Sequence, residues 1–178
     1  MTVPSGKLLA ALATLVAAAA VGYFVWSGLK TTPLAAPADI VTTPSGWVKL
    51  DGGNFTVYAP QGAALRPAKD GGDITGLTLC IHYRTSPTAA LAVTKTTHPD
   101  YKEANITIGG HPAVYRTAIL EAPEQQAWFP DCGQTYYIGL EVPGALPGGA
   151  SLVMDVSAGS EEELAHVVTM FKTVQFAK

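Results

Sequence analysis

From Leu8 to Leu29 the chain reads LLAALATLVAAAAVGYFVWSGL, and no charged residue interrupts it. As a helix rising about 1.5 Å per residue, this run is about 33 Å long, enough to cross a hydrocarbon core of roughly 30 Å. Lys7 precedes it and Lys30 follows it, and Tyr23, Phe24 and Trp26 gather toward one end, where aromatic rings favour the membrane–water interface. The competing reading is a cleaved signal peptide, whose apolar region is only about 7–15 residues long with a small-residue cleavage site close behind. Here the run is longer and its far end is bulky. Cleavage within Ala17 to Ala20 would leave VGYFVWSGL as a greasy new start. The segment therefore reads as an uncleaved, single-pass signal-anchor helix over residues 8–29, after a tail of residues 1–7. Lys7 against Lys30 leaves the positive-inside rule nearly balanced. The bulk of the chain follows the segment and carries both cysteines, which places the domain on the periplasmic or extracellular side.

Past the anchor, residues 30–45 form a tether: Thr31 to Ser45 holds three Pro and four Thr with no apolar period. Residues 46–178 are left for one domain, too few for two comfortable cores. Charged residues are only 14% of the chain and apolar ones 48%, which excludes a disordered chain. A net charge of −3 argues against a nucleic-acid partner, which needs clustered Lys and Arg. The two cysteines, Cys80 and Cys132, are expected to pair in an oxidising compartment. The bridge would close a loop of about 50 residues, with a chain-entropy gain of about 4 kcal/mol. Two separate buried thiols are the alternative.

The domain reads mostly as strands. Asn54 to Ala59 alternates, with Phe55, Val57 and Ala59 on one face. Ile74 to Arg84 reads as one strand, with Leu77, Leu79, Ile81 and Tyr83 on one face and Thr78, Cys80, His82 and Arg84 on the other. Asn105 to Ile108 and Ala113 to Leu120 flank Gly109-Gly110-His111-Pro112, a hairpin signal. Ala127 to Phe129 and Gln134 to Val142 read as strands around a turn at Pro130-Asp131-Cys132-Gly133, and Ser151 to Ser157 alternates again. A short Ala-rich helix is expected over Thr88 to Thr94. The clearest helix starts at Ser160, an N-cap with Glu163 three residues on, and buries Leu164, Val167, Val168 and Phe171. Thr173 to Phe176 follows as a closing strand. The expected class is α+β: a largely antiparallel twisted sheet packed by a C-terminal helix.

Three stretches resemble the Mog1/PsbP-like fold family. They are Phe55-Thr56-Val57-Tyr58-Ala59-Pro60-Gln61-Gly62, then Ile106-Thr107-Ile108-Gly109-Gly110-His111-Pro112-Ala113-Val114-Tyr115, then Val167-Val168-Thr169-Met170-Phe171-Lys172-Thr173-Val174-Gln175-Phe176. Together they span about residues 53 to 176. The resemblance implies a non-catalytic accessory or binding protein, of the kind found in bacterial envelopes, and supplies no catalytic residues to carry over. The helix anchor and the two cysteines depart from the branches that bind a small GTPase or assist a photosystem.

The sequence contains no G-x-S-x-G, H-E-x-x-H, Walker A or dinucleotide-binding glycine motif. His82 shares a strand face with Cys80, a pairing that a disulfide would cancel. His98 and His111 each precede Pro and could meet Asp100 or Asp131, but no spacing forces convergence. Asp70 to Gly76 lacks the order of a calcium loop and reads as a tight turn. No metal or cofactor is expected. The aromatic residues Trp128, Phe129, Tyr136 and Tyr137 surround Cys132, and adjacent strand residues point to opposite faces. One of each pair is expected to face away from the C-terminal helix, as a candidate partner surface. The expected function is a membrane-anchored extracytoplasmic domain, without catalysis, that docks another exported or envelope protein. The alternatives are a small-ligand or lipid carrier with a pocket between sheet and helix, and a hydrolase whose site assembles from His82, His98, His111 and carboxylates.

Overall fold

A computed structural model describes residues 43–93, 98 and 100–177. The tail, the anchor over residues 8–29 and the tether as far as residue 42 lie outside the described residues. Among the described residues no helix is long and apolar enough to cross a membrane.

The described residues of the domain form ten strands and two α-helices: β1 Trp47–Asp51, β2 Phe55–Pro60, β3 Ala64–Ala68, β4 Gly71–Thr75, β5 Cys80–Ser86, β6 Lys102–Ile108, β7 His111–Ile119, α1 Ala122–Trp128, β8 Tyr136–Val142, β9 Ser151–Ala158, α2 Glu161–Lys172 and β10 Gln175–Phe176. Seven strands form one sheet in the order β3-β4-β5-β9-β8-β7-β6, and three form a second in the order β1-β2-β10. Every pairing is antiparallel. The α+β class and the C-terminal helix are as the sequence reads.

The large sheet is covered on both faces. On one, Ile81, Ile138, Leu140, Leu152, Met154 and Val156 meet Val167, Met170 and Phe171 of α2 and Leu50, Phe55 and Val57 of the small sheet. On the other, Cys80, Val93, Ala118, Leu120, Phe129 and Tyr137 form a second, smaller core. All of β9 is buried, because it is the middle strand and neither face meets water. The alternation read in Ser151 to Ser157 therefore separates two cores, not core from solvent.

Local chemistry fixes the ends of α2. The Ser160 hydroxyl accepts from Glu163 N at 3.2 Å. The Glu163 carboxylate accepts from Gly159 N at 2.7 Å and from the Thr78 hydroxyl at 2.9 Å. At the far end the Thr173 hydroxyl donates to Met170 O at 2.7 Å and accepts from Tyr58 N at 2.8 Å, which ties the helix to β2.

Four expectations are corrected. Asp70 to Gly76 is no tight turn, because Gly71–Thr75 is strand β4, paired on both sides. Ile74 to Arg84 is two strands, β4 and β5, separated by residues 76–79. Gly76 has φ +82°, and a Cβ there would stand 2.1 Å from Gly62 O, so the chain turns where two backbones touch. Residues 88–93 are not helical, and Thr94 lies outside the described residues. Arg84 takes Ala90 O at 2.7 Å and Asp155 takes Ala92 N at 3.3 Å, groups that a helix would bond internally. Ala127 to Phe129 is no strand: Ala127 and Trp128 end α1, which starts with Pro123 in its first turn and Glu124 Oε2 accepting from Glu121 N at 3.0 Å. Strands β1 and β3 are additions to the sequence reading.

Candidate functional site

The strand register assembles a polar row across the α1 face of the large sheet. Arg66 lies opposite Asp73, Asp73 opposite His82, His82 opposite Asp155, Asp155 opposite Gly139, Gly139 opposite Arg116, and Arg116 opposite Glu103. Asp155 is the buried centre, only 5% exposed. Its carboxylate accepts from Arg84 Nη2, from the Tyr137 hydroxyl at 2.6 Å and from Ala92 N at 3.3 Å. A buried carboxylate needs such partners to replace the water it has lost. Burial, and then the negative charge of Asp155, push the Tyr137 phenol far above its ordinary range, so it stays a donor. Gly139 makes the space: a Cβ there would stand 2.3 Å from the Tyr137 hydroxyl oxygen.

At the next position in the row His82 Nδ1 lies 2.5 Å from Asp73 Oδ1, and its ring stacks on Phe129 with centroids 5.2 Å apart. His82 Nε2 is buried without a hydrogen-bond partner. The pair has the form of an oriented imidazole, but the nitrogen that would take a proton is shut in beside the end of α1.

The disulfide joins Cys80, at the start of β5, to Cys132, in the turn after α1, with Cα atoms 5.9 Å apart, inside the range that a bridge requires. Cys80 is thereby removed as a nucleophile beside His82. The other histidines do not assemble with it. His98, on the α1 face, packs against Trp128 at 6.2 Å and lies 3.4 Å from a Glu124 oxygen. His111 packs against Phe176 at 5.0 Å. Among the described residues no group of three or more His, Cys, Asp or Glu forms a metal-binding set.

The four aromatic residues expected to form a partner surface are divided. Phe129 and Tyr137 are 1% and 0% exposed, inside the second core, so neither can present a surface. Trp128 is half-buried against that same core. Tyr136 is half-buried on the opposite face of the sheet. It pairs across the strands with Ile119, the one large apolar side chain that stands exposed among the described residues, at 50%. These two, with Thr117, Lys102, Asp100 and the α2 residues Glu161 and Leu164, line an open groove of about 400 Å³. Asp100 is fixed there by accepting from Ile119 N at 2.5 Å.

A second groove of about 490 Å³ opens beside the same end of α2. Leu77, Leu79, Val167 and Met170 give it apolar walls, and Glu162, Glu163 and His166 stand at its rim. The first turn of α2 is thus a ridge between two grooves, with Glu161 on one side and Glu162 and Glu163 on the other. The sequence reading takes Glu163 only as part of the helix start. It also missed Ile119, whose exposure depends on where α2 lies. Asp155 did leave a signal, as the single ionisable residue in the apolar strand SLVMDVSA. The sequence matches no protein-family model and no curated protein.

Proposed function

We propose that the chain is a membrane-anchored extracytoplasmic domain that docks another exported or envelope protein and performs no chemistry of its own. One observation carries the docking reading: Ile119 stands half exposed next to Tyr136 and Leu164, in a groove whose polar members are Asp100, Lys102 and Glu161. An apolar anchor within a charged rim is the composition of a protein-binding hot spot. The Leu8 to Leu29 run supports the anchor, and the Cys80–Cys132 bridge suits an oxidising compartment. A sheet covered on both faces and a helix that leads straight into a last strand support the likeness to the Mog1/PsbP-like fold family, which belongs to this same proposal.

The test is cross-linked capture of the full chain from its native membranes, beside Ile119→Lys and Tyr136→Ala. The reading expects one saturable partner, retained by the wild type and lost by both variants while the disulfide and the unfolding midpoint stay unchanged. A capture equal in all three overturns the groove as the site.

The second groove favours a small-ligand reading, since its volume lies in the range of ligand pockets, roughly 300–1,000 Å³. Native mass spectrometry of the full chain released from membranes separates the two readings. A bound small molecule lost in Met170→Trp favours the carrier; bare protein removes it.

A further inference from the structure

The two outer strands of the large sheet are unlike. β3 reads ALRPA, where Pro67 lacks an N–H and Arg66 adds charge, both of which discourage strand addition. β6 reads KEANITI. Its charges sit at its start, and Asn105 to Ile108 is neutral, β-rich and free of Pro.

The register shows which backbone groups β6 turns outward. Gly109 and Gly110 have φ of +56° and +85° and join Ile108 to His111 as a two-residue hairpin turn. In such a hairpin the residues that close the turn exchange both backbone hydrogen bonds, and the pairs then alternate. Ile108 and Ile106 therefore bond to β7, while Thr107 and Asn105 point N–H and C=O away from it. Pro112 gives an independent check. It lies opposite Thr107 and has no N–H to exchange, so that pair must be of the non-bonded kind. Beyond the ladder with β7, no backbone hydrogen bond is made by Asn105 or Thr107 among the described residues.

We infer that β6 pairs antiparallel with β6 of a second copy of this chain, centred on Ile106. That register sets Asn105 of each copy against Thr107 of the other and uses the two outward residues of each strand to bond both ways. It places Ile106 against Ile106 on the α2 face, where this half-buried side chain already packs on the core. Glu103 falls opposite Gly109 and Lys102 opposite Gly110, so no like charges meet. A self-complementary pairing with a two-fold axis at Ile106 fits a symmetric dimer, the commonest closed assembly. The inference rests on β6 alone and is independent of the groove.

The test uses the full chain in detergent micelles, with mass measured by sedimentation. The edge is charged in two ways at exposed positions: Asn105→Lys with Thr107→Lys, and Asn105→Glu with Thr107→Glu. The wild type is expected to dimerise. Each charged variant alone should dimerise at least about tenfold more weakly, because like charges then face each other. An equimolar mixture of the two should recover the dimer, because Lys then faces Glu. A monomeric wild type, variants that dimerise as well as wild type, or a mixture that fails to recover each overturns the inference. Hydrogen exchange on the unaltered chain provides a second readout. The amides of Asn105 and Thr107 should slow as concentration rises through the dimerisation range, and unchanged fast exchange at both positions also overturns it.

Discussion

Replacing Gly139 by Ala should damage the domain through one hydroxyl. The new Cβ would lie 2.3 Å from the Tyr137 hydroxyl oxygen and 2.4 Å from Leu91 Cδ2. Leu91 is 5% and Tyr137 0% exposed, so neither has room to retreat. Overpacking of a filled core costs about 1–3 kcal/mol. Displacing the hydroxyl also breaks its 2.6 Å bond to the Asp155 carboxylate, a bond to a charged group worth about 1.5–3 kcal/mol. Gly139→Ala should therefore cost about 2.5–6 kcal/mol in all. Tyr137→Phe alone should cost about 1.5–3 kcal/mol, since only the bond is lost. In the double variant the methyl group is relieved of its closest clash, with ring Cζ 2.9 Å away, and the bond is lost once. The double variant should thus be more stable than the sum of the single effects predicts, by about 1.5 kcal/mol or more. Equilibrium urea unfolding of all four chains, disulfide intact, measures the cycle. Additivity within about 0.5 kcal/mol would refute the account of Gly139 as the space that lets Tyr137 reach Asp155.

Asp155→Ala takes the shared carboxylate from Arg84 and Tyr137 and should destabilise by about 3 kcal/mol in the same assay; Arg84 keeps Ala90 O, is 43% exposed and can turn to water, which keeps the cost at the low end. Replacing Cys80 and Cys132 together by Ser should lower stability by about 4 kcal/mol, with amide exchange accelerating first in α1 and residues 129–133. The raised Tyr137 phenol gives an alkaline signature. Its folded value lies above the ordinary 10.0, so its contribution is complete below pH 10 and declines above it, as the unfolded chain alone releases the proton. That decline is at most about 1.4 kcal/mol per pH unit. The unfolding free energy of Tyr137→Phe should fall less steeply than wild type between pH 10 and 11, and equal slopes would contradict the assignment.

What the sequence disclosed was local. Helix α2 was legible because its signals are adjacent: Ser160, the acidic first turn and the apolar stripe of Leu164, Val167 and Phe171. The hairpin was legible because Gly109-Gly110 interrupts two β-rich runs. The break at Gly76 was not, because Ile74 to Arg84 keeps alternating straight through it; what stops the strand is Gly62, a neighbour in space. Helix α1 was masked by the aromatic residues at its end, although Pro123 and the Glu121–Glu124 pair marked its start. The polar row was beyond reach of any local pattern. Its members run from Arg66 to Asp155, and only the register sets them side by side.

Two of the four aromatic residues read as a candidate partner surface, Phe129 and Tyr137, are interior, and the disulfide explains why. None of the α1 residues Ala122 to Trp128 is buried, so the helix has no apolar stripe of its own to hold it on the sheet. Its place is fixed at its end, by Trp128 against the second core, by Phe129 stacked on His82 and by Cys132 bonded to Cys80. Those attachments draw the chain over Tyr137 and enclose the second core. Aromatic residues around a cysteine at a turn are then the packing beneath a covalent staple, and Phe129 is interior because Cys132 is tethered. Tyr136, one residue from Tyr137, escapes this because the pleat sends it to the other face, beside Ile119 and α2. The staple thus closes one face of the sheet at the α1 end and leaves Ile119 and Tyr136 to meet water in the groove on the other face.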